Sequence, residues 1–137
     1  EINDITRNNN AIVSSISKNV IKYAEELGLG NKETIPASYL FTSNLKELSG
    51  AVLHKTAFAF RLAYISVIED ALKIKLPIIL DSPSGKEVDQ ANIKLMMNIL
   101  KRDFADHQII IASIFNYDFD NVKNIEIKER LIDVNTL

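Results

Sequence analysis

Residues 77–113 read PIILDSPSGKEVDQANIKLMMNILKRDFADHQIIIAS. Pro77-Ile78-Ile79-Leu80 closes on Asp81, and Gln108-Ile109-Ile110-Ile111-Ala112 closes on Ser113. Both are short continuous apolar runs, the pattern of parallel strands covered on both faces. Between them Ile93, Met96, Met97, Leu100 and Phe104 share one helical face, with Lys94, Asn98 and Lys101 on the outer side. Strand, helix and strand within about 37 residues is a βαβ unit, right-handed by the general rule for parallel crossovers. The expectation is an α/β fold built on parallel strands with flanking helices.

Upstream, residues 49–73 contain no Gly or Pro after Gly50. Ala57, Phe58, Ala59, Phe60, Leu62, Ala63, Tyr64, Ile65, Val67 and Ile68 cover nearly the whole circumference of a helix there, and a helix apolar all round is expected to be buried on several sides. Ala37-Ser38-Tyr39-Leu40-Phe41-Thr42 is aromatic and β-branched enough for a strand. Further back, Ile2, Ile5, Ile12, Ile16, Val20, Tyr23 and Leu27 form the narrow stripe of one helical face, and Gly28 and Gly30 stop that helix. Residues 1–30 thus read as an edge helix or the root of a coiled coil, and residues 31–137 as the main unit. Downstream, Val122-Lys123-Asn124-Ile125-Glu126-Ile127 is the expected last strand.

Composition narrows the chemistry. The 137 residues are 47% hydrophobic and 25% charged, ordinary for one globular domain, and the formal charge of -2 gives no polybasic surface for nucleic acid. With no Cys there is no thiol nucleophile and no Cys-ligated metal, and with only two His far apart, His54 and His107, a His-based metal site is not expected. His107 reads as an exposed loop residue ahead of the second strand. Arg61, Glu69 and Asp70 interrupt the longest apolar stretch, so neither a membrane-spanning helix nor a membrane partner is expected. A chain that opens on Glu1, without a basic leader, reads as a piece of a longer, cytoplasmic protein.

Two glycines fall where a backbone would approach a ligand. Gly50 follows Ser49 in Leu48-Ser49-Gly50-Ala51, just before the long apolar helix; Ser49 either caps that helix or helps present its free amides to an anion. Gly85 lies in the polar turn Ser82-Pro83-Ser84-Gly85-Lys86-Glu87-Val88-Asp89. Asp81, at the carboxyl end of an apolar strand, either is a solvated strand end or holds a Mg²⁺ ion that keeps several waters. Asp89 is well placed to N-cap the crossover helix, and Glu87 is the one Glu in this turn.

In combination these residues resemble a family. Leu48-Ser49-Gly50-Ala51 opening a long helix, about 30 residues before Leu80-Asp81-Ser82-Pro83 with Asp89 beyond, looks like the signature motif, Walker B strand and D-loop of ABC-type ATPases. The branch most similar is the structural-maintenance-of-chromosomes (SMC) type, the coiled-coil ATPases of DNA repair and prokaryotic defence. The resemblance spans roughly residues 38–113. It implies a P-loop NTPase-like C-terminal half-domain, with residues 1–30 the returning coiled-coil arm. It further implies that Ser49, Gly50 and Ala51 meet the γ-phosphate of ATP on an opposite head, that Asp81 holds Mg²⁺, and that Asp89 lies across the dimer interface. The partners implied are the protein's own N-terminal lobe, a second head and, through the full assembly, DNA.

Departures from the family pattern bear on catalysis. Ser82 stands where the family has the Glu that acts on the attacking water, and a hydroxyl is a far weaker base. That leaves Glu87 as a substitute base or hydrolysis slow. Ala112-Ser113-Ile114-Phe115 stands where a switch His is common, Ala51 replaces a Gly, and Lys55 comes later than the usual basic residue. The chain contains no G-x-x-x-x-G-K-[ST] phosphate loop, so by itself it is expected to bind ATP weakly and not to hydrolyse it. Two rival readings stand beside the ATPase: an ATP-gated scaffold that hydrolyses little or nothing, and an unrelated α/β binding module.

Overall fold

The structure is a computed structural model that describes residues 2–29, 48, 50–81 and 89–128. In chain order the elements are α1 (Ile2–Glu26), α2 (Gly50–Leu72), β1 (Ile78–Asp81), α3 (Gln90–Asp103) and β2 (Ile109–Ala112). The two strands pair in parallel, with Ile78 opposite Ile109 and Asp81 opposite Ala112, and α3 is the connection between them. Among the described residues this is a small α/β arrangement with the expected strand, helix and strand order.

One hydrophobic core joins the elements. Ile78 and Leu80 of β1 meet Phe58, Leu62 and Val67 of α2, Ile93, Met97 and Leu100 of α3, Phe104, and the C-terminal half of α1 from Ile16 to Leu27. Within α1 the stripe is buried at Ile16, Val20, Tyr23 and Leu27, while Ile12 and Val13, about one turn earlier, are exposed. Its end is a Schellman turn. Gly28 adopts φ 70°, its N–H donates to the Glu25 carbonyl at 2.9 Å, and the Leu29 N–H donates to the Ala24 carbonyl at 2.9 Å. The expected stop at Gly28 is therefore realised. The stop of α2 has no glycine: Lys73 takes φ 58° and its N–H donates to the Glu69 carbonyl at 2.8 Å.

Several expectations are corrected. The strands are covered on one face only within the described residues: Ile78 and Leu80 are buried, but Ile79 is 65% and Ile110 48% exposed. Side chains alternate between faces of a strand, and here helices pack on one of them. The helix α2 is likewise half covered, with Tyr64 and Val52 exposed opposite the buried Phe58, Ala59, Leu62 and Ala63. By length and composition α2 is apolar enough to cross a membrane, contrary to the expectation from Arg61, Glu69 and Asp70, though part of it is buried as a core helix. Val122–Ile127 forms no strand; it is irregular, with Ile125 and Ile127 each 78% exposed, and among the described residues no strand pairs with it. The expected strand 37–42 lies outside the described residues.

An ionic cluster fastens the end of α1 to the end of α3. Lys22 Nζ donates to Asp103 Oδ2 at 2.8 Å, and Arg102 reaches Glu26 at 2.9 Å and Asp103 at 2.6 Å. Hydrogen bonds from Arg102, then from Lys22, hold the Asp103 carboxyl well below the usual carboxylate range. Tyr23 adds a hydrogen bond with Ser66 at 3.3 Å and a tilted contact with the Phe104 ring at 6.2 Å.

Two outcomes follow. Asp103 binds its proton more weakly folded than unfolded, so its contribution is complete above about pH 4 and is lost as pH falls through that range. Chemical denaturation between pH 6 and pH 3 should show a steeper loss for wild type than for Asp103→Asn. A difference near 1 kcal/mol is expected, given the exposure of Arg102 and Lys22. In α2, Thr56 is fully buried and its Oγ1 has no hydrogen-bond partner among the described residues. Thr56→Val keeps the shape and removes the unsatisfied hydroxyl, so the unfolding midpoint should rise, by up to about 1 kcal/mol in stability.

Candidate functional site

Gly50 and Ala51 open α2, Asp81 closes β1 and Asp89 caps α3, the ends at which a helix presents its amides and a parallel sheet its carboxyl edge. Gly50 opens α2 with φ 57°, a left-handed conformation that L side chains rarely adopt, and a Cβ built there meets nothing within 4 Å. Gly50 is thus required by the backbone. Ala51, next along the helix, is half-buried. The first amides of α2 have no acceptor within the helix, and the helix dipole places partial positive charge at this end.

Asp81 is the last residue of β1 and is exposed beside Ala112 of β2. It occupies the carboxyl edge of a parallel sheet, where α/β folds bind ligands. Among the described residues no group of three or more His, Asp or Glu side chains is close enough to hold a metal ion, so Asp81 offers one carboxylate that would leave most of a Mg²⁺ shell to water and phosphate.

Asp89 is the N-cap of α3. With extended backbone (φ -73°, ψ 165°), its carboxylate accepts from the Asn92 N–H at 2.8 Å. The capping role expected from sequence is therefore observed. A link that sequence reasoning missed joins the two helix starts: Lys55 Nζ donates to Asn92 Oδ1 at 3.3 Å. This ties the second turn of α2 to the first turn of α3 and sets Gly50, Ala51 and Asp89 at one end of the molecule. Ser49, Ser82, Glu87 and Gly85 lie outside the described residues.

Beyond β2, at the position where the resembled family commonly has a His, Ser113 turns the chain. Its Oγ accepts from the Phe115 N–H at 3.0 Å and donates to the Tyr117 hydroxyl at 3.1 Å. The segment that follows lies beside α3, where Gln90, Lys94, Asn98 and Lys101 face Phe115 and Tyr117 across a groove. His107 does lie at the opposite end of β2 from this edge, but it is not exposed. Its ring is 1% exposed and bonded to Leu76 and Glu69. The partner Glu69 stands 38 residues upstream, so nothing local in the sequence signals the burial.

With this geometry in view, the comparison with known proteins is informative. The chain is similar to Lamassu protein LmuB of Bacillus cereus (strain VD014). The two are 29% identical over 102 residues, which covers 72% of this chain and 17% of LmuB. The chain therefore spans much less than two thirds of that relative. At this distance the similarity lends loose support to a relation with SMC-like proteins. No protein-family profile matches the chain, and no solved structure matches it.

The role of Asp89 is open to a direct check. Asp89→Ala should lower the stability of the chain by about 1 kcal/mol, and Asp89→Ser, which retains a capping oxygen, should recover most of it. Thermal melts of the two variants beside wild type make the comparison.

Proposed function

We propose that this chain is the C-terminal lobe of an SMC-like ATPase head, which supplies a signature motif and a Walker B carboxylate to ATP-driven closure of two heads. The reading is supported by two observations: a left-handed Gly50 at the start of α2, and Asp81 at the carboxyl end of a parallel strand. A glycine there lets a phosphate oxygen approach the helix amides, and a carboxylate at the strand end suits a hydrated Mg²⁺. The distant similarity to LmuB supports the SMC-like relation and favours a role in defence. An exposed Ile12 in register with the buried Ile16 and Val20 of α1 is what a coiled-coil root would present.

In this reading Ser49, Gly50 and Ala51 bind the γ-phosphate of ATP held by the opposite head, and Asp81 orients the Mg²⁺ shell. Asp89 fixes the start of α3 and faces the second protomer. Catalysis is positioning and charge stabilisation at a composite site. The N-terminal lobe provides the phosphate loop, and DNA is engaged through the whole assembly. The second reading, an ATP-gated scaffold with slow or no hydrolysis, is favoured by one feature. Ser82 occupies the position of the expected base, and Glu87 is the carboxylate nearest to it in sequence downstream.

Two measurements test the proposal. Calorimetry of the chain with Mg·ATP should show binding weaker than millimolar; micromolar affinity would overturn the half-site reading. In the full-length protein, Ser49→Arg should abolish ATP-dependent dimerisation seen by light scattering while the melting temperature stays within the shift expected for loss of a helix cap, about 1 kcal/mol. Normal dimerisation in that variant would reduce Ser49 to a cap.

A further inference from the structure

At the opposite end of the strands from the candidate site, the buried ring of His107 faces two acceptors. Nδ1 lies 2.9 Å from the Leu76 carbonyl oxygen and Nε2 lies 2.9 Å from Glu69 Oε2. A carbonyl can only accept, and so can an ionised carboxylate, whereas a neutral imidazole carries one N–H. Both contacts are satisfied together only if the pair holds one proton more. At pH 7 an ordinary carboxyl gains that proton at a cost of roughly 500-fold in population and an ordinary imidazole at roughly 3-fold, so the imidazole takes it. From this geometry we propose that His107 is carried as an imidazolium, and that its second proton latches the connection between α2 and β1 to the base of β2.

The surrounding charges agree. Glu69 faces the ring from α2. Lys75, in the connection, sits 4.0 Å from Glu69 and 2.9 Å from Asp106, which stands in the turn before β2. Two carboxylates and one ammonium leave a single negative charge, which the imidazolium balances. Among the described residues, the C-cap of α3 contributes the Phe104 ring, edge-on at 5.2 Å. The latch bears on β1 because Leu76 is followed by Pro77, which has no N–H, and then by Ile78, whose N–H donates to the Gln108 carbonyl at 2.8 Å. Loss of the proton turns a lone pair of Nε2 toward a carboxylate, breaks one of the two bonds, and frees the entry to β1.

Nitrogen-15 NMR of the histidine ring in the full chain at pH 7.5 decides the charge state. Both ring nitrogens of His107 should be protonated in wild type, and in Glu69→Gln, which keeps an acceptor but removes the charge, one should not be. A bare ring nitrogen in wild type at that pH overturns the proposal, whether or not the variant folds. Hydrogen exchange at the Ile78 amide, corrected for intrinsic rates between pH 6 and pH 9, tests the latch. Protection in wild type should fall by about tenfold as the proton leaves, with no such step in His107→Gln. Parallel pH profiles in the two proteins would overturn it.

Discussion

A pair of four-residue parallel strands cannot stand alone, and everything else in this molecule is arranged around that constraint. Parallel strands cannot be joined by a tight turn, so a crossover helix is obligatory, and α3 fills that role. Burying Ile78 and Leu80 against α2 and α3 fixes where the strands end, and hence where Asp81 stands. The C-terminal half of α1 then closes the core over Phe104 and Leu100, both essentially without exposure. The position of the candidate carboxylate is therefore set by aliphatic packing elsewhere in the unit.

Polar groups divide between the two ends of the strands by the work each can do. At the carboxyl end the backbone amides of α2 and α3 begin, Asp89 satisfies one of those of α3, and Lys55 bridges the two helix starts through Asn92. At the other end the carbonyls of α2 and its connection gather, and the groups that meet them are donors: the Lys73 N–H on Glu69 and the His107 ring on Leu76. The helix α3, capped by Asp89 and ending on Lys101 and Arg102, follows the electrostatics of helix ends, whereas α2 has no acid in its first turn and no base in its last. An anion arriving at the α2 end would meet that field with a glycine in front of it.

What sequence could reveal followed the range of the interactions involved. The helices α1, α2 and α3 and both strands announce themselves because periodicity and apolar runs are local, and Gly28, Gly50 and Asp89 do so because caps and left-handed turns restrict residue type on the spot. The His107 pair was hidden because Glu69 and Leu76 lie far back along the chain and its own neighbours, Asp106 and Gln108, are polar. Lys73 was hidden because a left-handed lysine is forced by the chain reversal after α2, not by its own preference. Val122–Ile127 misled for the opposite reason: its alternation is local, but a strand also needs a partner, and alternation says nothing about whether one is present.

The uncovered faces follow from the same logic. Continuous apolar runs such as Ile109-Ile110-Ile111 suit strands with helices or other layers on both sides, yet Ile79 and Ile110 look outward here, as does Tyr64 on the neighbouring side of α2. Tyr64 and Ile79 border a hollow of about 350 Å³ lined by Phe58, Arg61, Ile65 and Pro77. Among the described residues, a sheet composed for two-sided burial is covered on one side, which leaves an apolar face open to a further layer. In such an arrangement the second layer would reach the sheet from the side opposite α3. Under the proposed function, the helix starts at Gly50 and Asp89 would then keep an open approach for a nucleotide.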